Sequence, residues 1–134
     1  MKIHHFGFAV ENIENAIEDF INLFGFLQLT EVKEDLKQKV RIAFLQDEEK
    51  KVAVELLEPI GLDSPVYGKK GLMHICFQTK DFEKDFKILR EKGWLLIKSP
   101  QEAEAIKGAK VSFFYNKDYG VIELVEKNIE EFLR

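Results

Sequence analysis

Hydrophobic and polar positions alternate from Ile3 to Val10, which predicts a strand with two unlike faces. His4, Phe6, Phe8 and Val10 form one face, and His5, Gly7 and Ala9 form the other. The period then changes. Ile13, Ala16, Ile17, Phe20, Ile21 and Phe24 recur at helical spacing, with Asn12 placed to cap the helix and Gly25 to stop it. Three short strands are expected next, at about Leu27–Val32, Val40–Gln46 and Val52–Leu57, separated by charged turns. The same order returns further on: a strand over Met73–Thr79, Asp81 as N-cap, and a helical stripe of Phe82, Phe86 and Leu89 that Gly93 ends. Strands are then expected over Trp94–Ile97, Lys110–Phe114 and Val121–Glu126.

The two stretches are copies of one pattern. His5-Phe6-Gly7-Phe8 corresponds to His74-Ile75-Cys76-Phe77 at an offset of 69 (74 − 5). Val54-Glu55-Leu56-Leu57-Glu58 corresponds to Ile122-Glu123-Leu124-Val125-Glu126 at an offset of 68 (123 − 55). Gly25-Phe26 and Gly93-Trp94 are again 68 apart (93 − 25). Two copies are too few for a solenoid, so a duplicated module folded against its twin is expected. The copies span 2–59 and 71–127, joined by a Gly- and Pro-containing linker at 60–70. The tail at 128–134 has the stripe of a short helix in Ile129, Phe132 and Leu133. The fold class that follows is α+β: two βαβββ modules in a single domain over 1–134, forming a curved eight-stranded mixed sheet around a cleft.

Composition narrows the function classes. Of the 134 residues, 46% are hydrophobic, enough for one domain to hold a core without disulfides. A net charge of −4 with well-mixed signs argues against a general nucleic-acid binder. The single cysteine, Cys76, makes neither an internal disulfide nor a thiolate-rich metal site. No apolar run approaches the ~18 residues of a membrane span, and polar residues interrupt the N-terminal stretch at once. A cytoplasmic protein is expected.

Alternation also says which side chains share a face. If Phe6, Phe8 and Val10 pack under the first helix, His5 points the other way beside Gly7 and Ala9. His74, Cys76 and Gln78 likewise turn away from Met73, Ile75 and Phe77. Val54 and Leu56 belong to the core, which turns Glu55 outward from it; Ile122 and Leu124 do the same for Glu123. Two histidines and two glutamates thus fall at equivalent positions on one predicted face. A carboxylate between core residues is expensive unless partnered. One divalent cation held by His5, Glu55, His74 and Glu123 satisfies both acids, with neutral imidazoles beside them. Nitrogen and oxygen donors without thiolate suit Ni, Co, Zn, Mn or Fe, and four protein ligands on a six-coordinate ion leave two positions for substrate. His4 falls on the helix side and is read as structural; Cys76 is read as a small lining residue.

These residues resemble the vicinal oxygen chelate superfamily, over nearly the whole chain from Ile3 to Glu126. Within it, His4-His5-Phe6-Gly7-Phe8-Ala9-Val10-Glu11-Asn12-Ile13 is similar to the opening of the methylmalonyl-CoA epimerases, as are Glu55-Leu56-Leu57-Glu58-Pro59 and Asp63-Ser64-Pro65. The His, Glu, His, Glu set is equally similar to bacterial glyoxalase I (lactoylglutathione lyase). The resemblance implies a metal-dependent isomerase or lyase that removes a proton next to a carbonyl, with Glu55 and Glu123 as base and acid. The cofactor implied is one divalent ion (Ni, Co, Zn or Mn). The partner implied is a small-molecule thioester or other α-carbonyl substrate, and a homodimer is common in the family. Arg41, Lys39, Lys107 and Lys110 are candidate anchors for a phosphate or carboxylate; Gln78, Ser112 and Tyr115 are candidate hydrogen-bonding partners.

The sequence departs from the epimerase pattern in its loops. The segment after Asp63-Ser64-Pro65 is short, the expected glycine-rich loop reads Ala103-Glu104-Ala105-Ile106-Lys107-Gly108, and Tyr115-Asn116-Lys117-Asp118-Tyr119-Gly120 replaces the usual approach to the last strand. Two other classes occur on this scaffold. Iron dioxygenases of the fold typically use two His and one Glu, against which the second Glu argues. Drug-sequestering binding proteins generally lack the metal set, leaving a non-catalytic metal- or small-molecule-binding protein as the further alternative.

Overall fold

The computed structural model describes residues 1–103 and 106–126. The expected terminal helix at 128–134 lies outside the described residues. The element order is β1 (Lys2–Ala9), α1 (Ile13–Phe24), β2 (Leu27–Gln28), β3 (Lys33–Asp35), β4 (Val40–Gln46), β5 (Ala53–Pro59), β6 (Gly71–Thr79), α2 (Phe82–Glu91), β7 (Leu95–Ala103), β8 (Ala109–Asn116) and β9 (Gly120–Glu126). The described residues divide into two compact units, one of residues 5–73 and the other of residues 1–4, 74–103 and 106–126.

In the first unit the strand order is β2-β4-β5-β1, with β3 also paired to β4. β1 runs parallel to β5, whereas β4 is antiparallel to β5, so the sheet is mixed. Helix α1 covers one face. Ile13 and Ile17 pack with Ala43, Leu45, Val54 and Leu56, and Phe6, Phe8, Val10 and Phe20 close around them. The Asn12 side chain accepts from Asn15 N at 2.9 Å, and Gly25 ends the helix at φ 71°, a left-handed conformation that favours glycine. Asn12→Ala is expected to cost about 1 kcal/mol of unfolding free energy, read as a lower denaturation midpoint with unchanged slope.

The second unit repeats the design, in the order β6-β9-β8-β7. β6 is parallel to β9, and β8 pairs antiparallel with both β9 and β7. Asp81 caps α2 by accepting from Lys84 N. Phe82 packs with Phe114 and Leu124, and Phe77, Phe86, Leu89, Trp94, Leu96 and Ile122 surround that cluster.

Two elements differ from the sequence expectation. The strand expected over Leu27–Val32 is divided into β2 and β3, so nine strands rather than eight are present among the described residues. Gln28 pairs with Leu45 and Lys33 with Ile42, which places five steps on one side against three on the other. The surplus is absorbed at Thr30, whose hydroxyl accepts from Phe44 N at 2.9 Å, while Leu29 N donates to Phe44 O. The strand expected over Trp94–Ile97 continues instead to Ala103. Among the described residues β7 pairs only with β8, and an edge strand tolerates Pro100 and exposed polar side chains that carry no core periodicity.

Candidate metal centre

Parallel pairing sets the same His–Glu relation in each unit. Gly7 lies opposite Glu55 and Cys76 lies opposite Glu123, so each glutamate faces the residue two positions after its histidine. Two positions along a strand return to the same face. Nε2 of His5 is 3.5 Å from Oε1 of Glu55, and Nε2 of His74 is 3.1 Å from Oε1 of Glu123. All four side chains are buried.

Each histidine is also packed by an aromatic ring. The His5 ring meets Phe44 edge-on, with centroids 5.2 Å apart and planes at 85°. His74 meets Phe113 at 5.6 Å and 83°. Phe44 is the cross-strand partner of Glu55, and Phe113 is that of Glu123. Each phenyl therefore backs both donors of its unit, restricting the imidazole against the neighbouring acid. Sequence reasoning passed over these two residues, although their offset of 69 (113 − 44) matches that of the histidines.

One ligand atom from each of His5, Glu55, His74 and Glu123 lies within 4.8 Å of every other. Two nitrogens and two oxygens are a donor set for a divalent cation, and buried carboxylates need such a counter-charge. His4, His5 and Cys76 also offer ligand atoms within the same limit.

The other candidate residues separate by face. Arg41 lies opposite Glu58 on β4, on the side that packs against α1. Its guanidinium donates to Glu14 at 2.7 and 3.0 Å and to Glu58 at 2.9 Å. The Glu14 hydrogen bond, seconded by Glu58, raises Arg41 above its already high pKa, and Arg41 in return holds Glu14 below the usual carboxylate value. Glu58 also accepts from Ile13 N, so this network fastens the start of α1. Lys110 and Ser112 are on the face of β8 that carries Phe114, toward α2. Lys110 binds Glu83 at 2.6 Å, which raises its pKa, and lies 4.9 Å above the Phe82 ring. The Ser112 hydroxyl donates to Lys98 O at 2.6 Å. Lys39 pairs with Asp63. Gln78 and Tyr115 fall on the Glu123 side by alternation, the first buried and opposite Val125, the second exposed and opposite Val121.

Two βαβββ units carry a buried His/Glu cluster capable of chelating a divalent metal ion. Residues 4–127 match the Glyoxalase/Bleomycin resistance protein/Dioxygenase superfamily, and the chain belongs to that superfamily. It is 30% identical to the mitochondrial methylmalonyl-CoA epimerase of Homo sapiens, over 93% of this chain and 72% of that protein. A crystal structure of a hypothetical protein from Bacillus halodurans C-125 superposes with TM-score 0.81 at 29% identity, covering 95% of this chain and 94% of the other. A variant of Streptomyces coelicolor methylmalonyl-CoA epimerase, in complex with 2-nitronate-propionyl-CoA, superposes with TM-score 0.79 at 26% identity, covering 96% and 98%. The epimerase likeness and the His/Glu cluster place the chain among the metal-dependent isomerases and lyases of the superfamily. No described helix is long and apolar enough to cross a membrane.

Proposed function

We propose that the protein moves a proton at a carbon next to a carbonyl, as an epimerase acting on a coenzyme-A thioester that bears an acidic C–H. The observation that carries this reading is the pair of buried glutamates at register-equivalent positions of the two units. His5, Glu55, His74 and Glu123 hold one divalent ion. When bound, that ion supplies a Lewis acid for the substrate oxygens, where negative charge develops as the C–H bond breaks.

The chain's own residues do the rest. Glu55 and Glu123 are the proton carriers, one accepting the proton at a carboxylate oxygen and the other returning one to the carbon. His5 and His74 stay neutral donors, held edge-on by Phe44 and Phe113. Gln78 and Tyr115, on the Glu123 side, are the candidates for hydrogen bonds to substrate. Arg41 and Lys110 are committed to carboxylates on the helix sides and are not carried into this reading.

A glyoxalase I reaction would use the same ligand set and the same proton transfer. The likeness to epimerases over both sequence and structure favours the thioester. Incubating the metal-loaded protein in heavy water with methylmalonyl-CoA should place deuterium at the acidic carbon. Exchange with the hemithioacetal of methylglyoxal and glutathione instead would assign the lyase branch, and exchange with neither would overturn the proposal.

A further inference from the structure

The geometry points to Lys98 as a specificity-determining residue that receives an anionic group of the substrate, a carboxylate attached to the reacting carbon. This rests on the proton-transfer reading above and adds what sets the substrate class.

Lys98 stands in one cross-strand row with the second unit's donors. It pairs with Phe113, Phe113 pairs with Glu123, and Glu123 lies opposite Cys76. Cross-strand partners project to the same side of a sheet, so Lys98 belongs to the Glu123 face. Its Nζ is 5.9 Å from the centroid of the Phe113 ring, and the same ring meets His74 edge-on. One phenyl is thus flanked by an imidazole of the centre and by a lysine ammonium.

The backbone at this point is built for the purpose of aiming a side chain. The β7–β8 register shifts on both sides of Lys98, between Leu96 and Lys98 and again between Lys98 and Gln101. Bulges re-aim side chains and concentrate next to active sites. Between the two shifts the Lys98 carbonyl is fastened by the buried Ser112 hydroxyl at 2.6 Å. That fixes the residue from which the side chain extends.

The charge is also available. Lys110 makes a similar contact over Phe82, but its ammonium is neutralised by Glu83 at 2.6 Å. Among the described residues no carboxylate pairs with the Lys98 ammonium. A cation on a ring face gives up little to take a second, anionic partner on its open side, and an anion there lies beside the donor cluster. The first unit has no lysine at the corresponding place, since the positions 68 and 69 residues earlier are Thr30 (98 − 68) and Leu29 (98 − 69). The duplicated centre is thereby made one-sided, as recognition of an unsymmetrical substrate requires.

The test compares methylmalonyl-CoA with propionyl-CoA, which lacks the carboxylate, by equilibrium binding to the metal-loaded full chain. Wild type should prefer methylmalonyl-CoA by about tenfold or more, the size of a charge-assisted hydrogen bond. Lys98→Met, which keeps an apolar stem over Phe113, should cut that preference to about twofold, and Lys98→Arg should keep most of it. In deuterium exchange Lys98→Met should raise KM about tenfold with kcat within about threefold. An undiminished preference in Lys98→Met, or equal weakening of both thioesters, overturns the assignment, as does failure of wild type to bind either. Exchange by wild type without any Lys98 effect removes the anchor and leaves the proton-transfer reading standing. A Lys98-dependent preference without exchange does the reverse.

Discussion

Glu123→Gln should lower the rate of epimerisation by about 10²- to 10⁴-fold, the range that a positioned general base or acid contributes. The amide keeps the shape of the side chain on β9, between Ile122 and the fully buried Leu124, so cooperative unfolding should be retained. Glu55→Gln, between Val54 and Leu56 on β5, should lose a similar factor, because the two glutamates occupy the same register position. A sharper readout separates their roles. With each variant, one epimer of the thioester should still exchange its acidic proton with solvent, and the epimer should differ between the variants. Metal content measured alongside distinguishes a lost base from a lost ligand. Epimerisation within threefold of wild type in either variant would remove that glutamate from proton transfer.

What the amino-acid pattern discloses is what depends on local spacing. Asn12 and Gly25 bracket α1 as read, because capping and left-handed backbone are properties of a few adjacent residues. The shared face of His5 with Glu55, and of His74 with Glu123, follows from strand alternation once the duplication supplies the pairing. The facing of Arg41 and Ser112 follows from the same rule and was available from it. Arg41 alternates with Ala43 and Leu45, and Ser112 with Phe114, all of them core positions under a helix. Charge and hydroxyl chemistry suggested substrate contact for both, and alternation, applied consistently, points them toward α1 and α2.

Other features depend on contacts that no local pattern carries. The division of β2 from β3 turns on the Thr30 hydroxyl accepting from Phe44 N, fourteen positions along the chain (44 − 30). The extension of β7 through Pro100 is permitted by its edge position, which is a property of sheet order and not of its own residues. Phe44 and Phe113 carry no distinguishing mark in the local pattern. Their role beside the histidines emerges only when antiparallel register sets each opposite a glutamate.

Stripping the metal should abolish exchange and lower the melting temperature by several degrees, with both restored by adding back a divalent ion. A ligand that binds only the folded chain stabilises it by about 2.7 kcal/mol at one hundred times its dissociation constant. For a domain of this length that corresponds to roughly 10 °C. The expectation follows from the buried acids: Glu55 and Glu123 each lie beside a histidine, and a bound cation would supply compensating charge to both. His74→Ala also removes the ring contact with Phe113, so its own melting temperature is a poor measure of ligation. The informative quantity is the difference between loaded and stripped protein, which should shrink to about a degree in His74→Ala and in His5→Ala. Glu14→Gln, which breaks an exposed pair with Arg41 on the α1 side, should leave that difference intact. Equal melting temperatures for loaded and stripped wild type, with exchange persisting in the stripped protein, would show that the four side chains do not act through an ion.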